Sequence, residues 1–202
     1  TELGSGGWSI TPMLDKIEVI ESDAEIILDL EKDAAMIRLA EARYWRDYPC
    51  IILTGKGAAD IATRQFLRKI NNVLKLPTLC LVDADPYGHY IFSVYIRGSK
   101  RLSYESPFIA TPDMHLLGVL CKDLEEYSIP DNCRIPMNKQ DRKRLDEMLS
   151  EEFVKNNKKW VQDLKLMKKM GVKAEIQALS SHGFEYLTES YLPNKIESAD
   201  WI

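Results

Sequence analysis

The sequence predicts an α/β fold: a mostly parallel sheet of about four strands, flanked by helices and followed by a helical C-terminal extension. Through the first part of the 202 residues, short apolar runs alternate with amphipathic stretches of helical length. This alternation is typical of βαβ units. The later part instead carries many charged residues, with apolar residues recurring at helical spacing.

The predicted strands are apolar runs, most of them followed by turn-forming or polar residues. The first is Ile26–Leu30, the second is Cys50–Thr54, which ends at Gly55-Lys56-Gly57, and the third covers residues 78–82. Residues 116–120 are a weaker candidate for a fourth strand. Because helical patterns separate the first three runs, their strands are expected to be parallel.

Helical patterns fill the spaces between these strands. One predicted helix covers residues 33–46, a second runs from Asp60 to Leu74, and a third covers about residues 89–96. The residues predicted to face inward on the first two helices are apolar and share a helical spacing: Ala34, Ile37, Ala40, Ile61, Phe66, Ile70 and Leu74.

From Asn138 onward the chain is predicted to be helical and charged. Gly171 is expected to end one helix, and the last predicted helix covers residues 172–191. Apolar residues at helical spacing indicate packing faces rather than ligand sites: Leu145, Met148, Leu149, Trp160, Leu164 and Met167.

Composition and charge narrow the function classes. Hydrophobic residues make up 45% of the chain and charged residues 29%, as in globular proteins, and no apolar run is long enough to span a bilayer. The net charge of −4 argues against a protein that coats DNA with its whole surface, although a local basic stripe can still bind DNA. The four cysteines form no C-x-x-C pair and are expected to be reduced thiols of an intracellular protein.

Two carboxylates follow the third predicted strand, in Asp83-Ala84-Asp85-Pro86-Tyr87-Gly88. Ligand sites of parallel sheets form at the C-terminal ends of strands. Two carboxylates this close repel each other unless a cation lies between them, and oxygen ligands favour Mg²⁺ or Mn²⁺ over zinc. The alternative is structural, because Asp-Pro-x-Gly is common turn chemistry and Asp is a frequent helix cap.

A third carboxylate, Glu31, ends the first predicted strand. If the first and third strands are neighbours, Glu31 faces Asp83 and Asp85 across the end of the sheet, and the three carboxylates converge on one ion. The alternative places Glu31 at the start of the following helix, where the helix dipole favours an acidic residue.

This carboxylate pattern resembles the Toprim domain of topoisomerases, primases and some nucleases. Further blocks narrow the resemblance to the A subunits of topoisomerase VI and their relative, the meiotic double-strand-break protein. The blocks cover nearly the whole chain in the family's order: Leu30-Glu31-Lys32-Asp33-Ala34, Thr54-Gly55-Lys56-Gly57, Asp60-Ile61-Ala62-Thr63-Arg64-Gln65-Phe66-Leu67, Asp83-Ala84-Asp85-Pro86-Tyr87-Gly88, Tyr104-Glu105-Ser106, Ala110-Thr111-Pro112, and Met170-Gly171-Val172-Lys173-Ala174-Glu175 on to Leu192-Pro193.

The resemblance implies a Mg²⁺ site, able to take Mn²⁺, formed by Glu31, Asp83 and Asp85. It also makes Lys56 and Arg64 candidates to contact DNA phosphates. The loop at Lys56 lacks the Walker A pattern, so ATP is expected only through a partner subunit. Asp29 departs from the family, in which an apolar residue is expected there; it either adds a fourth carboxylate to the metal site or is exposed.

The resemblance further implies a type IIB topoisomerase subunit whose tyrosine nucleophile lies on a winged-helix domain. None of the tyrosines here lies in the family's Arg-preceded motif; Arg43-Tyr44 is the nearest match and is better explained by helix packing. Residues 1–22 are therefore interpreted as an arm from a missing winged-helix domain. Residues 23–130 are the predicted Toprim core and 131–202 its helical extension, with no catalysis expected from this chain alone.

The implied partners are double-stranded DNA, a homodimer of A subunits, and ATPase B subunits that complete a heterotetramer, with no membrane. The expected compartment is the cytoplasm of an archaeon or the nucleus of a eukaryote. A meiotic-type break protein and a Toprim nuclease acting without tyrosine remain the alternative enzymes, and a dimerisation module without metal is the non-enzymatic one. The basic runs Arg97-Gly98-Ser99-Lys100-Arg101 and Arg142-Lys143-Arg144 could face DNA, although a solvated surface is their default interpretation.

Overall fold

The computed structural model describes residues 7–98 and 106–202 and confirms the α/β fold. Its main sheet has four parallel strands in the order β2-β1-β3-β4: β1 is Ile26–Leu30, β2 is Cys50–Thr54, β3 is Thr78–Leu81 and β4 is Met114–Gly118. The β1–β2 register runs from Ile26 opposite Cys50 to Leu30 opposite Thr54. The first and third predicted strands are neighbours, as the carboxylate hypothesis requires.

The chain divides into two compact units. The first comprises the described residues of Thr1–Cys80 and Ile91–His115, and the second comprises Leu81–Tyr90 and Leu116–Ile202. The core of the first unit includes Ile27, Leu28 and Leu30 of β1, which are fully buried. None of the helices in the described part of the chain is long and apolar enough to cross a bilayer.

Two helices of the first unit follow β1 and β2. Helix α1, Asp33–Glu41, is shorter than predicted, because Arg43 takes a left-handed backbone with φ +50° and a 3₁₀ turn, Tyr44–Arg46, follows. Helix α2, Ile61–Leu74, has the predicted bounds, since Asp60 caps it by accepting the Thr63 N–H at 2.7 Å. Tyr44 is buried and stacks on Tyr48, which supports its packing role.

The predicted inward faces of these two helices are partly wrong. In α1 the buried residues are Ala35 and Leu39, whereas Ile37 is exposed. In α2 Ile70 is buried as predicted, but Ile61 is exposed. The other buried positions of α2 are Leu67 and three polar side chains, which an apolar pattern does not identify: Thr63, Arg64 and Asn71.

Helices dominate the second unit. After the short α5, Asp123–Glu126, they are α6 at Lys139–Ser150, α7 at Glu152–Lys155, α8 at Lys158–Met170 and α9 at Leu192–Glu197. Asn138 and Asp141 form a capping box at the start of α6, and Gly171 ends α8 as predicted. The predicted packing faces are confirmed. Leu149 is partly buried, and the other predicted residues are buried: Leu145, Met148, Trp160, Leu164 and Met167.

The predicted single helix over residues 172–191 is wrong. Strand β6, Val172–Lys173, instead pairs antiparallel with β5, Ile135–Pro136. A 3₁₀ helix, Ile176–His182, and a π-helical turn, Leu187–Tyr191, follow. This segment therefore reaches back to earlier parts of the second unit instead of continuing as one helix.

The two remaining helices lie between β3 and β4. Helix α3 is Pro86–Arg97 and begins earlier than predicted, and α4 is Ser106–Ile109. The fourth strand, Met114–Gly118, starts two residues before the predicted run. Part of the basic run that begins at Arg97, and the block Tyr104-Glu105, lie outside the described residues.

Candidate functional site

Asp83 and Asp85 occupy the connection between the end of β3 and the start of α3. The Oδ1 atom of Asp83 accepts the backbone N–H of Ile176 at 2.8 Å. The Oδ1 atom of Asp85 accepts the backbone N–H of Gly88 at 2.6 Å, which makes Asp85 the cap of α3. Both carboxylates are thus oriented by backbone donors. Asp85 is a helix cap, as the structural alternative predicted, but capping uses only one of its two oxygens, and the second can still be a metal ligand.

The electrostatics of this pair suit a divalent cation. Burial raises the pKa of Asp85 above its usual value; the hydrogen bond from Gly88 opposes the shift, and the charge of Asp83 reinforces it. A cation between the two carboxylates would offset both the burial and the repulsion. The buried carboxylate of Asp83 and the half-buried one of Asp85 offer oxygen ligands only, which fit Mg²⁺ or Mn²⁺.

Gly88 allows α3 to begin directly beside the carboxylates. A Cβ atom at this position would overlap the backbone oxygen of Asp83 and contact the Val82 side chain. Because the obstructing atom belongs to the backbone, it cannot rotate away. The last position of the Asp83-to-Gly88 motif is therefore explained by close approach of the helix to the strand end.

His89 connects the start of α3 to α8, and nothing in the sequence indicated this. Its Nδ1 accepts the indole N–H of Trp160 at 2.9 Å, so the neutral ring carries its proton on Nε2, which lies 3.4 Å from Asp163. Asp163 in turn accepts the backbone N–H groups of Cys121 and Lys122, each at 3.2 Å. This series of buried contacts holds α3, the helix that begins after Asp85, in place.

In the first unit, the loop after β2 lies against the end of β1. The backbone oxygen of Glu31 accepts the N–H of Gly57 at 2.6 Å. Lys56 has a left-handed backbone with φ +53°, and its ammonium lies 3.5 Å from Asp33. The Lys56 side chain is 69% exposed, so a phosphate can reach it beside Glu31.

Arg64 lies in a more enclosed setting. It is only 4% exposed on α2. Burial raises the pKa of the Tyr95 hydroxyl, and the charge of Arg64 opposes that shift, so the guanidinium lies near Tyr95. A phosphate contact from Arg64 stays a prediction. It would require the phosphate to reach a buried guanidinium, whereas the Lys56 ammonium is exposed.

Asp29 is buried, so the alternative interpretation of Asp29 as an exposed residue is wrong. It is 1% exposed, and its carboxylate accepts the Tyr95 hydroxyl at 3.2 Å and lies 3.8 Å from the sulfur of Cys80. Burial raises its pKa to about 7 despite these two hydrogen bonds. Asp29 therefore belongs to a buried polar cluster of the first unit.

The structure also brings together three carboxylates that the sequence did not single out. Ligand atoms of Asp123, Glu126 and Asp200 all lie within 4.8 Å of one another. However, the Lys195 ammonium lies 3.2 Å from Asp123 and 2.6 Å from Asp200, and Lys122 lies 2.6 Å from Asp200. These lysines supply the positive charge that a metal would bring, so we interpret the group as an ion-pair network.

The predicted triad is thus divided between the two units. Asp83 and Asp85 are neighbours in the second unit, whereas Glu31 belongs to the first, at the end of the strand next to β3. The convergence of Glu31 with the aspartate pair on one ion stays a prediction.

Comparison with known proteins identifies the family. The family model for the Toprim domain shared by Spo11 and the A subunit of topoisomerase 6 matches residues 26–196. The chain belongs to this family. Its Toprim fold and the resemblance inferred from the sequence blocks are therefore confirmed.

Relatives of this Toprim chain occur in plants and archaea. It is 54% identical over its whole length to the A subunit of DNA topoisomerase 6 from Arabidopsis thaliana, covering 47% of that protein. It is 39% identical, again over its whole length, to the A subunit of the type 2 DNA topoisomerase 6 from Aeropyrum pernix, covering 54%. It is 40% identical over 94% of its length to the meiotic recombination protein SPO11-1 of Arabidopsis thaliana, covering 52%. The chain spans about half the length of these relatives.

Proposed function

We propose that this chain is the metal-binding part of the DNA-cleaving A subunit of a type IIB topoisomerase. The complete enzyme would make transient double-strand breaks through a tyrosine on another domain and relax or decatenate DNA with an ATPase B subunit. The observation that carries the proposal is the 54% identity over the whole chain to a topoisomerase 6 A subunit. The second candidate is a meiotic-type break protein, which the 40% identity supports less strongly.

Glu31, Asp83 and Asp85 would hold Mg²⁺, with Mn²⁺ as a substitute. When bound, the ion supplies positive charge that offsets the negative charge developing on the attacked phosphate. The chain's own contribution is orientation: the Ile176 N–H fixes Asp83, and the Gly88 N–H fixes Asp85. Fixed ligands avoid reorganisation when the charge develops.

The cations near this site would bind the DNA backbone. Lys56 is exposed beside Glu31 and would act as a point charge toward a phosphate. Arg64 is the second candidate, although its burial limits its reach. The partners of the complete enzyme would be double-stranded DNA, the other A subunit of a dimer, and B subunits that handle ATP, in the compartment that holds the DNA.

The metal assignment predicts a specific loss of Mn²⁺ binding. Calorimetry with the chain should give binding heat for the native sequence, and Asp83→Ala or Asp85→Ala should abolish it, because each removes a ligand oxygen. Asp113→Ala, which removes a carboxylate that we assign no role, is the control and should bind like the native chain. Identical heats for the native chain and Asp85→Ala would refute the assignment.

The proposed function predicts that this chain alone cannot cleave DNA, because it would supply the metal ligands of the site while the nucleophilic tyrosine lies on another domain. Supercoiled plasmid incubated with this chain and Mg²⁺ should remain intact. The complete A subunit with its B partner should cleave and relax the plasmid, and Asp83→Ala or Asp85→Ala should abolish both reactions. Nicking by the chain alone that disappears in Asp85→Ala would instead indicate a complete nuclease.

A further inference from the structure

Three side chains of the second unit form a stack beside the aspartate pair. The rings of Tyr87 and Tyr90, one turn apart on α3, lie 6.0 Å apart at an interplanar angle of 28°. The guanidinium of Arg144, on α6, lies 5.3 Å from the centre of the Tyr87 ring and 4.7 Å from that of Tyr90. We call these three residues the arginine stack.

Arg144 has no carboxylate within ion-pair distance among the residues that the structure describes. Its neighbours on α6 differ, because Lys143 lies 3.9 Å from Glu147, and Asp146 lies 2.6 Å from Lys168. The tyrosine rings contact Arg144 through their π faces, which attract a cation without using its hydrogen-bond donors. The planar N–H groups therefore remain suited to a bidentate oxyanion contact.

The position of the arginine stack relates it to the acidic pair. Tyr87 follows Asp85 by two residues and is 42% exposed. Lys173 lies close enough to lower the pKa of Asp85, against the dominant effect of burial, and it bonds Asp141 of α6 at 3.0 Å. Because Arg144 follows Asp141 by three residues, both lie on the same side of α6.

We propose that Arg144, held by Tyr87 and Tyr90, binds a DNA backbone phosphate next to the one at the aspartate pair. The inference rests on the proposed function and extends it to Arg144, which lies in the basic run Arg142-Lys143-Arg144, and to the two tyrosines that hold it. A bound duplex presents a regular series of phosphates, so a protein that places one at the metal needs a cation for a neighbouring one. The stacked guanidinium meets that need with little loss of side-chain freedom, because the rings already restrict it.

Binding of a short fluorescent DNA duplex to the chain, measured by anisotropy across a range of salt concentrations, tests this. Arg144→Ala should weaken binding about 3–10-fold at low salt and reduce the salt-dependence slope by about one, as expected for the loss of one phosphate contact. Arg144→Lys should fall between, because lysine keeps the charge but loses the fork geometry. Tyr87→Phe should bind like the native chain, whereas Tyr87→Leu should weaken binding, since the ring face rather than the hydroxyl holds the arginine.

Arg142→Ala is the matched control, because it removes the same charge from the same helix at an exposed position outside the arginine stack. It should change affinity by less than about twofold. Equal losses in Arg142→Ala and Arg144→Ala, or no loss in Arg144→Ala, would overturn the inference while leaving the plasmid test intact. No binding by the native chain would overturn it as well. The two proposals can fail separately. If the salt dependence of DNA binding falls only in Arg144→Ala but the complete enzyme does not cleave the plasmid, the phosphate contact is correct and the proposed function is wrong.

Discussion

Replacing Lys195 by Met is expected to lower the free energy of unfolding by about 3–5 kcal/mol, because it breaks a buried ion pair by removing one partner. The Lys195 side chain is 0% exposed, and so is that of Asp123, 3.2 Å from its ammonium. Burial raises the pKa of Asp123, while Lys195 and the Tyr191 hydroxyl oppose the shift. Without the ammonium, the Asp123 charge would have no counter-ion in the core.

Chemical unfolding followed by circular dichroism measures this loss. The control is Lys122→Met, which makes the same change on the same network where the side chain is 36% exposed; it should cost only about 0–1 kcal/mol. Adding Asp123→Asn to Lys195→Met should recover part of the stability, since no uncompensated charge remains. Equal unfolding midpoints for the two lysine variants would show that the buried Lys195–Asp123 pair contributes no more to stability than the exposed Lys122 contact.

The penalty in Lys195→Met should also depend on pH in a defined direction. When the folded pKa of a carboxyl group lies above its unfolded value, folding favours the neutral form, and stability falls as the pH rises from the unfolded to the folded pKa. Removing the ammonium raises the folded pKa of Asp123 further. The variant should therefore be closest to the native chain in acid and furthest from it above neutral pH.

Sequence patterns predicted the first three strands of the main sheet well because each of them is short and locally marked. Strand β1 is followed by the acidic Glu31 and β2 by a glycine turn, and both strands have the predicted bounds. The capped helices α2 and α6 were found for the same reason, since Asp60 and Asn138 are local signals. The adjacency of β1 and β3 was only a condition of the metal hypothesis, since sequence patterns did not determine the strand order, and the structure meets that condition.

What the sequence missed depends on contacts between distant residues. Residues 172–191 have a composition that favours helix, yet Ala174 exchanges two backbone hydrogen bonds with Ala84. Asp83 is oriented by Ile176, and His89 by Trp160, across 93 and 71 residues. A local pattern contains no information about such partners, so it located the carboxylates but not what holds them.

Buried charge was the second source of error. Asp29, Arg64 and Lys195 would each be assigned to the surface on residue type alone, yet all three are buried. Burying a charge is costly unless a partner compensates it, and the partner is again distant in the sequence. Each of these residues therefore marks a place where the stability of the fold depends on how distant residues surround a buried ionisable group.

Asp29→Asn is expected to stabilise the chain at alkaline pH. Burial raises the folded pKa of Asp29 from 3.8 to about 7. Since the folded state favours the neutral carboxyl, its contribution to stability is fully present below the unfolded pKa and is lost as the pH rises from about 4 to about 7. Three pKa units correspond to at most about 4 kcal/mol, and relaxation around the charge should reduce the gain from Asn to roughly 1–3 kcal/mol.

Urea unfolding of the native chain and of Asp29→Asn, at about pH 5 and about pH 8.5, isolates the ionisation of Asp29. Asparagine keeps an oxygen that can accept the Tyr95 hydroxyl, so packing changes little while the titration disappears. A chelator in both buffers excludes metal bound at Glu31, two residues away. Asp23→Asn makes the same substitution at an exposed position and should change neither midpoint. The gain in Asp29→Asn must be larger at the higher pH; an equal effect at both values would mean that the folded pKa of Asp29 is not raised and that its carboxylate is charged in the folded chain at both pH values.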